Sequence, residues 1–150
     1  AAGLSYKFRI KSYRNTNENG VLYSGYTEFS ANTDPSGMSG YKVKSKTSIS
    51  VTLQWNKNTS ATGYELQKWD GSKWASLTKL TSNATTTYTV NSLKASTTYK
   101  YRIRAYKTIG KTTQYSGYVE LSVNTNPTNM SGFKVYIYRT YCCYDRRKTR

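Results

Sequence analysis

TTYKYRIRAY, residues 97–106, alternates without interruption: Tyr99, Tyr101, Ile103 and Ala105 fall on one side, Lys100, Arg102 and Arg104 on the other. Successive side chains of an extended chain point to opposite faces, so the pattern predicts an antiparallel strand with one face buried and one in water. A second version stands near the start, LSYKFRIKSY at residues 4–13, with Tyr6, Phe8 and Ile10 opposite Lys7, Arg9 and Lys11. Outward from these two strands the chain matches itself. Tyr6 aligns with Tyr99 and Tyr13 with Tyr106, 93 positions on; one residue is then lost, and VLYSGYTEFSANT at 21–33 aligns with TQYSGYVELSVNT at 113–125, 92 positions on. Pro35, Met38 and Gly40 match Pro127, Met130 and Gly132, and SGYKV at 39–43 returns as SGFKV at 131–135. A period near 92 residues is the size of a small domain, not of a solenoid coil.

The repeat divides the chain into the last two strands of a preceding unit at 1–34, one complete unit at 35–126, and the start of a third at 127–150. On this division the chain is a segment of a longer protein, and the apolar face of the first piece (Tyr6, Phe8, Ile10, Phe29) has no opposite sheet. From Tyr136 the match ends: where KSKTSISVTLQW is expected, YIYRTYCCYDRRKTR stands, which points to a shifted reading frame or a cloning joint.

Turn residues cut the complete unit into seven short strands at 40–46, 48–55, 63–69, 73–80, 85–90, 97–106 and 117–124. Ile49, Val51, Leu53 and Trp55 share one face of the second, Tyr64 and Leu66 point inward from the third, Tyr88 and Val90 from the fifth, and Val119, Leu121 and Val123 from the last. Asp70-Gly71 is a hairpin turn, and KTIGKTTQ at 107–114 a loop. Composition agrees with an all-β chain: 16 tyrosines, only 2 prolines, and no apolar period of a long helix. Seven alternating strands at this spacing predict a Greek-key sandwich of two sheets.

The unit at 35–126 resembles a fibronectin type III module of the kind found in tandem in secreted bacterial proteins. Trp55 at the end of the second strand, Gly63-Tyr64 opening the third, Leu93 six residues before Tyr99, and the run Tyr99, Tyr101, Ile103, Ala105 carry the resemblance. It implies an immunoglobulin-like β-sandwich with Trp55, Tyr64 and Ile103 in the structural frame. Leu93 and Tyr99 would pack where the chain crosses between sheets, with Tyr99 as the tyrosine corner. The Arg-Gly-Asp tripeptide of some animal members is absent.

Chemistry-bearing residues are few. Histidine is missing, the two cysteines (Cys142, Cys143) are adjacent in the tail, and the seven acids form no close pair for two-carboxylate chemistry. Phosphate loops, zinc ligand sets and nucleophile elbows do not occur. Neither an enzyme nor a cofactor or metal is expected. The pattern Asn-X-Ser/Thr at 58–60, 83–85 and 129–131 arises by chance in so Asn/Ser/Thr-rich a chain. No apolar stretch is long enough to span a bilayer as a helix, and the start has no signal-peptide apolar region.

Net charge is +16, spread as 4 basic against 3 acidic residues in 1–34, 13 against 3 in 35–126, and 6 against 1 in 127–150. Lys100, Arg102 and Arg104 form a basic stripe fit for a polyanion, or else pair with Glu65 and Glu120 on the neighbouring strands. Trp69 and Trp74 flank the Asp70-Gly71 turn, where they could stack on sugar rings or pin the hairpin register. Tyr115 and Tyr118 of the repeated YSGY are expected to pack at the module end. The expected role is a non-catalytic spacer between domains of an extracellular or cell-surface bacterial protein, its partners being neighbouring domains of the same chain. The alternative is binding of anionic or polysaccharide cell-wall material. Nucleic acid stands third, favoured by charge but not by fold or location.

Overall fold

The computed structural model describes residues 1–16, 20–129 and 131. The tail from Tyr136, with both cysteines, lies outside them. The described residues are all-β. Twelve strands follow in order: β1 Ser5–Ile10, β2 Tyr13–Asn15, β3 Val21–Tyr23, β4 Thr27–Asn32, β5 Lys42–Lys46, β6 Val51–Gln54, β7 Gly63–Trp69, β8 Trp74–Leu80, β9 Thr87–Val90, β10 Thr98–Ile109, β11 Thr112–Tyr115 and β12 Val119–Asn124. No helix among them is long and apolar enough to cross a membrane, which does not bear on β-barrels.

Residues beyond 35 make two facing sheets. One runs β5-β6-β9; the other runs β11-β10-β7-β8, with β12 continuing on the β11 side of β10. All pairs are antiparallel, and β10 is central, holding β7 on one flank and β11 then β12 on the other. Its apolar face fills the core: Tyr101, Ile103 and Ala105 are fully buried, as are Val51, Leu53, Tyr64 and Leu66 across from or beside them. Small Ala105 lies in register with large Tyr64, and Ile103 with Leu66. The core cluster starts at Val51 and ends at Val123 and takes nothing from residues 1–34. Residues 35–126 thus carry a core of their own.

Trp55 is buried, with its ring 5.4 Å from that of Tyr64 in an edge-on contact. The Tyr64 hydroxyl accepts from the Asn58 N–H (2.8 Å) and donates to the Asn83 carbonyl (3.0 Å). Leu93 is 6% exposed, and the Lys94 N–H donates to the Tyr99 hydroxyl at 2.8 Å, which ties the chain to β10 as it crosses between sheets. Tyr101, two residues on and fully buried, has a hydroxyl without a hydrogen-bond partner. The same substitution should therefore act oppositely at the two sites. Tyr99→Phe is expected to cost about 1 kcal/mol, and Tyr101→Phe to cost nothing or to stabilise, because it removes a buried polar group that nothing satisfies. Urea unfolding of the two variants checks the sign of each.

Four expectations need correction. Ile49 does not share the buried face of β6; it is 61% exposed. The Thr47 hydroxyl accepts from the N–H groups of Ile49 (3.2 Å) and Ser50 (2.9 Å), and this local turn ends the extended run before it reaches Ile49. Val119 is 36% exposed, since it opens β12 at the sheet edge with no strand beyond it among the described residues. Residues 107–114 are not a loop but the continuation of β10 into β11, paired from Tyr106↔Tyr115 to Ile109↔Thr112. Gly110, at φ 58°, makes the two-residue turn with positive φ at its first central position, where glycine has no Cβ to clash. Tyr115 and Tyr118 lie on the sheet face rather than packing at the module end, as described below.

The internal repeat extends to single hydrogen bonds. The Ala1 amino group donates to the Tyr6 hydroxyl (2.5 Å) as Lys94 N–H does to Tyr99. Gly3 N–H reaches the Asp34 carbonyl (2.8 Å) as Ser96 reaches Asn126 (3.2 Å). Leu4 N–H donates to the Thr33 hydroxyl (3.0 Å) as Thr97 does to Thr125 (3.1 Å). In the strand interruption at YSGY, the Ser24 hydroxyl accepts from Ser12 N–H as Ser116 does from Ala105, each at 2.9 Å. In β1 and β4, however, Phe8, Ile10 and Phe29 are exposed, because no sheet among the described residues faces them.

Candidate functional site

The outer face of the larger sheet collects most of the singled-out residues. Alternation puts Lys100, Arg102 and Arg104 outward from β10, and Glu65, Gln67 and Trp69 outward from the neighbouring β7. Trp69 pairs with Trp74 across the β7–β8 hairpin, rings 5.4 Å apart and nearly perpendicular. At the turn, the Asp70 carboxylate accepts from Ser72 N–H, Lys73 N–H and the Ser72 hydroxyl at 2.8–2.9 Å. These bonds hold the carboxyl below its ordinary range, those from the Lys73 and Ser72 backbone most strongly. Gly71, at φ 108°, completes the turn.

The two arginines are enclosed by aromatic rings. The Arg102 guanidinium lies 4.5 Å from the Trp74 ring centre and 3.9 Å from that of Tyr118. Arg104 lies 4.6 Å from Tyr118 and 3.8 Å from Tyr115. Trp74, Arg102, Tyr118, Arg104 and Tyr115 thus alternate ring and cation across the sheet. Side-chain acceptors fix the guanidinium planes: Arg102 Nε donates to Gln67 (2.8 Å), and Arg104 Nε and Nη2 both reach Glu65 Oε2 at 2.6 Å. Burial raises the Tyr118 phenol above its usual range, Glu65 adds to this, and Arg104 and Arg102 oppose it.

Glu65 therefore neutralises part of the stripe, but Glu120 does not. It stands in register with Arg102, is exposed, and makes no ion pair among the described residues; the rings and Gln67 engage that arginine instead. The sequence signal for this arrangement was the repeated YSGY. Arg9 lies 4.4 Å from Tyr26, and Lys11 lies 3.5 Å from Tyr23 and 5.1 Å from Tyr26, the same three contacts one repeat earlier. Arg104→Ala, which removes two ring contacts and the partly buried ion pair, is expected to lower stability by about 1–2 kcal/mol. Arg104→Lys should recover only part, since an ammonium lacks the planar fork that stacks. Chemical unfolding at low and high salt measures both losses.

Lys100 stays outside the ladder. With Lys68, Trp69, Ala75, Leu77 and Tyr99 it borders an open cleft of about 620 Å³ at the β7–β8 end. Lys68 continues the inward face of Tyr64 and Leu66, and its ammonium sits 4.5 Å from the Tyr99 ring centre. Among the described residues no three His, Cys, Asp or Glu side chains come together to hold a metal.

Comparison with known proteins bears on the fold and the family. The family described as "Fibronectin type III domain" matches residues 34–122. Exoglucanase B of Cellulomonas fimi is 32% identical over 99 residues, covering 66% of this chain but 9% of that protein's length. The fn3 domain of the human collagen alpha-1(XX) chain has a TM-score of 0.55 at 18% identity, covering 68% of this chain and 95% of that one. The sixth fibronectin type III domain from human fibronectin type III domain containing protein 3 has a TM-score of 0.54 at 14% identity, covering 69% and 97%. At such identities the likeness carries the fold alone.

Proposed function

The chain belongs to the fibronectin type III family, and from that membership we propose that residues 35–126 are a non-catalytic spacer in an extracellular, multidomain bacterial protein. On this proposal residues 1–34, expected as two strands but folded as the four short strands β1–β4, are the end of a preceding module, and residues 127–150 the start of a following one. The supporting observation is the junction between the first two. Pro35 is buried, and the backbone on either side of it is tied down: Thr33 N–H to the Leu4 carbonyl (2.9 Å), Gly3 N–H to Asp34 (2.8 Å), and Ser36 N–H to the Ser60 hydroxyl (2.8 Å). Asn58, also buried, donates its amide to the Ser36 carbonyl (2.7 Å). A linker bonded on both sides and fixed in φ by proline holds its neighbours apart in one orientation. The likeness to part of an exoglucanase favours a neighbouring domain that acts on polysaccharide.

A second reading, binding of anionic or polysaccharide cell-wall material, is favoured by the cleft at Trp69, Lys68, Tyr99 and Lys100. Retention on insoluble cell-wall polymer separates the two. A spacer passes through at low salt. Retention that high salt releases, and that Lys68→Ala with Lys100→Ala abolishes, supports binding instead.

A further inference from the structure

Ser96 occupies, in the complete module, the place that Gly3 occupies in the unit before it. From this we propose that the residue at this position sets how closely the next module seats: Gly3 lets residues 35–126 seat closely, and Ser96 would hold a module that follows residue 126 further off. The proposal rests on the spacer reading. Its partner is another module of the same type, presenting the loop that in this chain is residues 58–60.

Gly3 is buried in the first junction, with its Cα facing the backbone of Ser60. A β-carbon there would fall inside contact distance of the Ser60 carbonyl oxygen and 3.4 Å from Ser60 Cβ. The loop cannot easily retreat. The Ser60 hydroxyl accepts from Ser36 N–H (2.8 Å), its N–H donates to the Asn58 side chain (3.1 Å), and Asn58 is bonded in turn to Ser36. A hydrogen bond from Asn32 Nδ2 to the Thr112 hydroxyl (2.9 Å) closes the other side of the junction.

Ser96 shows that conformation is not what demands glycine at position 3. It holds φ 50° against 67° for Gly3, within the same hydrogen-bonded corner. What differs is the space its Cβ takes. Because the opposing atom is a backbone carbonyl, any residue at the equivalent of Ser60 in a following module would meet that Cβ. The following module must sit further off or be rotated, even though Lys94, Thr97, Thr125 and Asn126 repeat the rest of the surface.

Residual dipolar couplings of the 150-residue chain test this. In the wild type, amides of β1 and β4 and those of residues 35–126 should fit one alignment tensor. Gly3→Ser should require two, while the Leu4 amide, bonded to Thr33, stays protected from exchange because the corner itself tolerates serine. One shared tensor in the variant, with unchanged orientation, overturns the proposal alone. Two tensors already in the wild type contradict the spacer reading and the closed junction together. Should Leu4 lose protection, the reciprocal change decides: in a chain where residues 35–126 are repeated after residue 126, Ser96→Gly should bring the two copies from separate tensors to one. Failure to do so overturns the proposal.

Discussion

Trp55→Ala is expected to cost about 3–5 kcal/mol, a large part of what holds a domain of this size together. Trp55 is 1% exposed and closes the core between its edge contact with Tyr64 and a tilted contact, 6.5 Å between ring centres, with Tyr41. Both partners are fixed elsewhere: Tyr64 by its two hydrogen bonds, and Tyr41 by the strand that follows it. Neither can swing into the space an alanine leaves, so the full cavity cost applies. Trp55→Phe should lose clearly less, because it keeps a ring against Tyr64 and removes an indole N–H that has no partner in the core. Equilibrium unfolding of both variants measures the difference. A loss below about 1 kcal/mol for alanine would mean that Trp55 is not the centre of the core.

Gly63→Ala should be nearly as damaging, for the opposite reason. Gly63 opens β7, buried between Leu80 of β8 and Tyr106 of β10. An added β-carbon would overlap the Leu80 carbonyl and lie 2.9 Å from the Tyr106 hydroxyl, which itself donates to that carbonyl (3.2 Å). Two strands of one sheet cannot part for a methyl group without losing their pairing, so a cost of about 3 kcal/mol is expected, the upper end for overpacking. Removing the hydroxyl as well, in Gly63→Ala with Tyr106→Phe, should restore little, because the carbonyl remains. Substantial recovery in that double variant, measured by urea unfolding, would shift the obstacle from backbone to side chain.

The alternation of residues 97–106 placed the buried face of β10 at Tyr101, Ile103 and Ala105, because a central strand packed on one side leaves its pattern in every second residue. It did not show that the strand runs on to Ile109. Leu93 and Tyr99 were placed at the crossing between sheets only by the resemblance to fibronectin type III modules; a leucine six residues before a tyrosine does not by itself say where the chain crosses. Ile49 was misplaced because a threonine hydroxyl bonding two nearby N–H groups bends the chain locally, and alternation carries no trace of that. The hairpin at 107–114 was hidden by its polar composition, since both faces of that ribbon are at least partly in water. The arginine stripe was read correctly in position but not in its surroundings. Rings that flank a guanidinium come from β8, from the end of β11 and from the break between β11 and β12, and only pairing brings them beside β10. The tight approach of Gly3 to Ser60 had no sequence signal, because it joins two units that do not share a core.

Fixed orientation across that junction is the property on which the proposed role depends. Ser30 and Ser122 are exposed, on equivalent strands one repeat apart, and spin labels placed there after Ser30→Cys and Ser122→Cys, with Cys142 and Cys143 changed to serine, report the vector between the units. Double electron–electron resonance on this chain should give one narrow distance distribution. A broad distribution would mean that the units turn freely about the linker, and would contradict the spacer role.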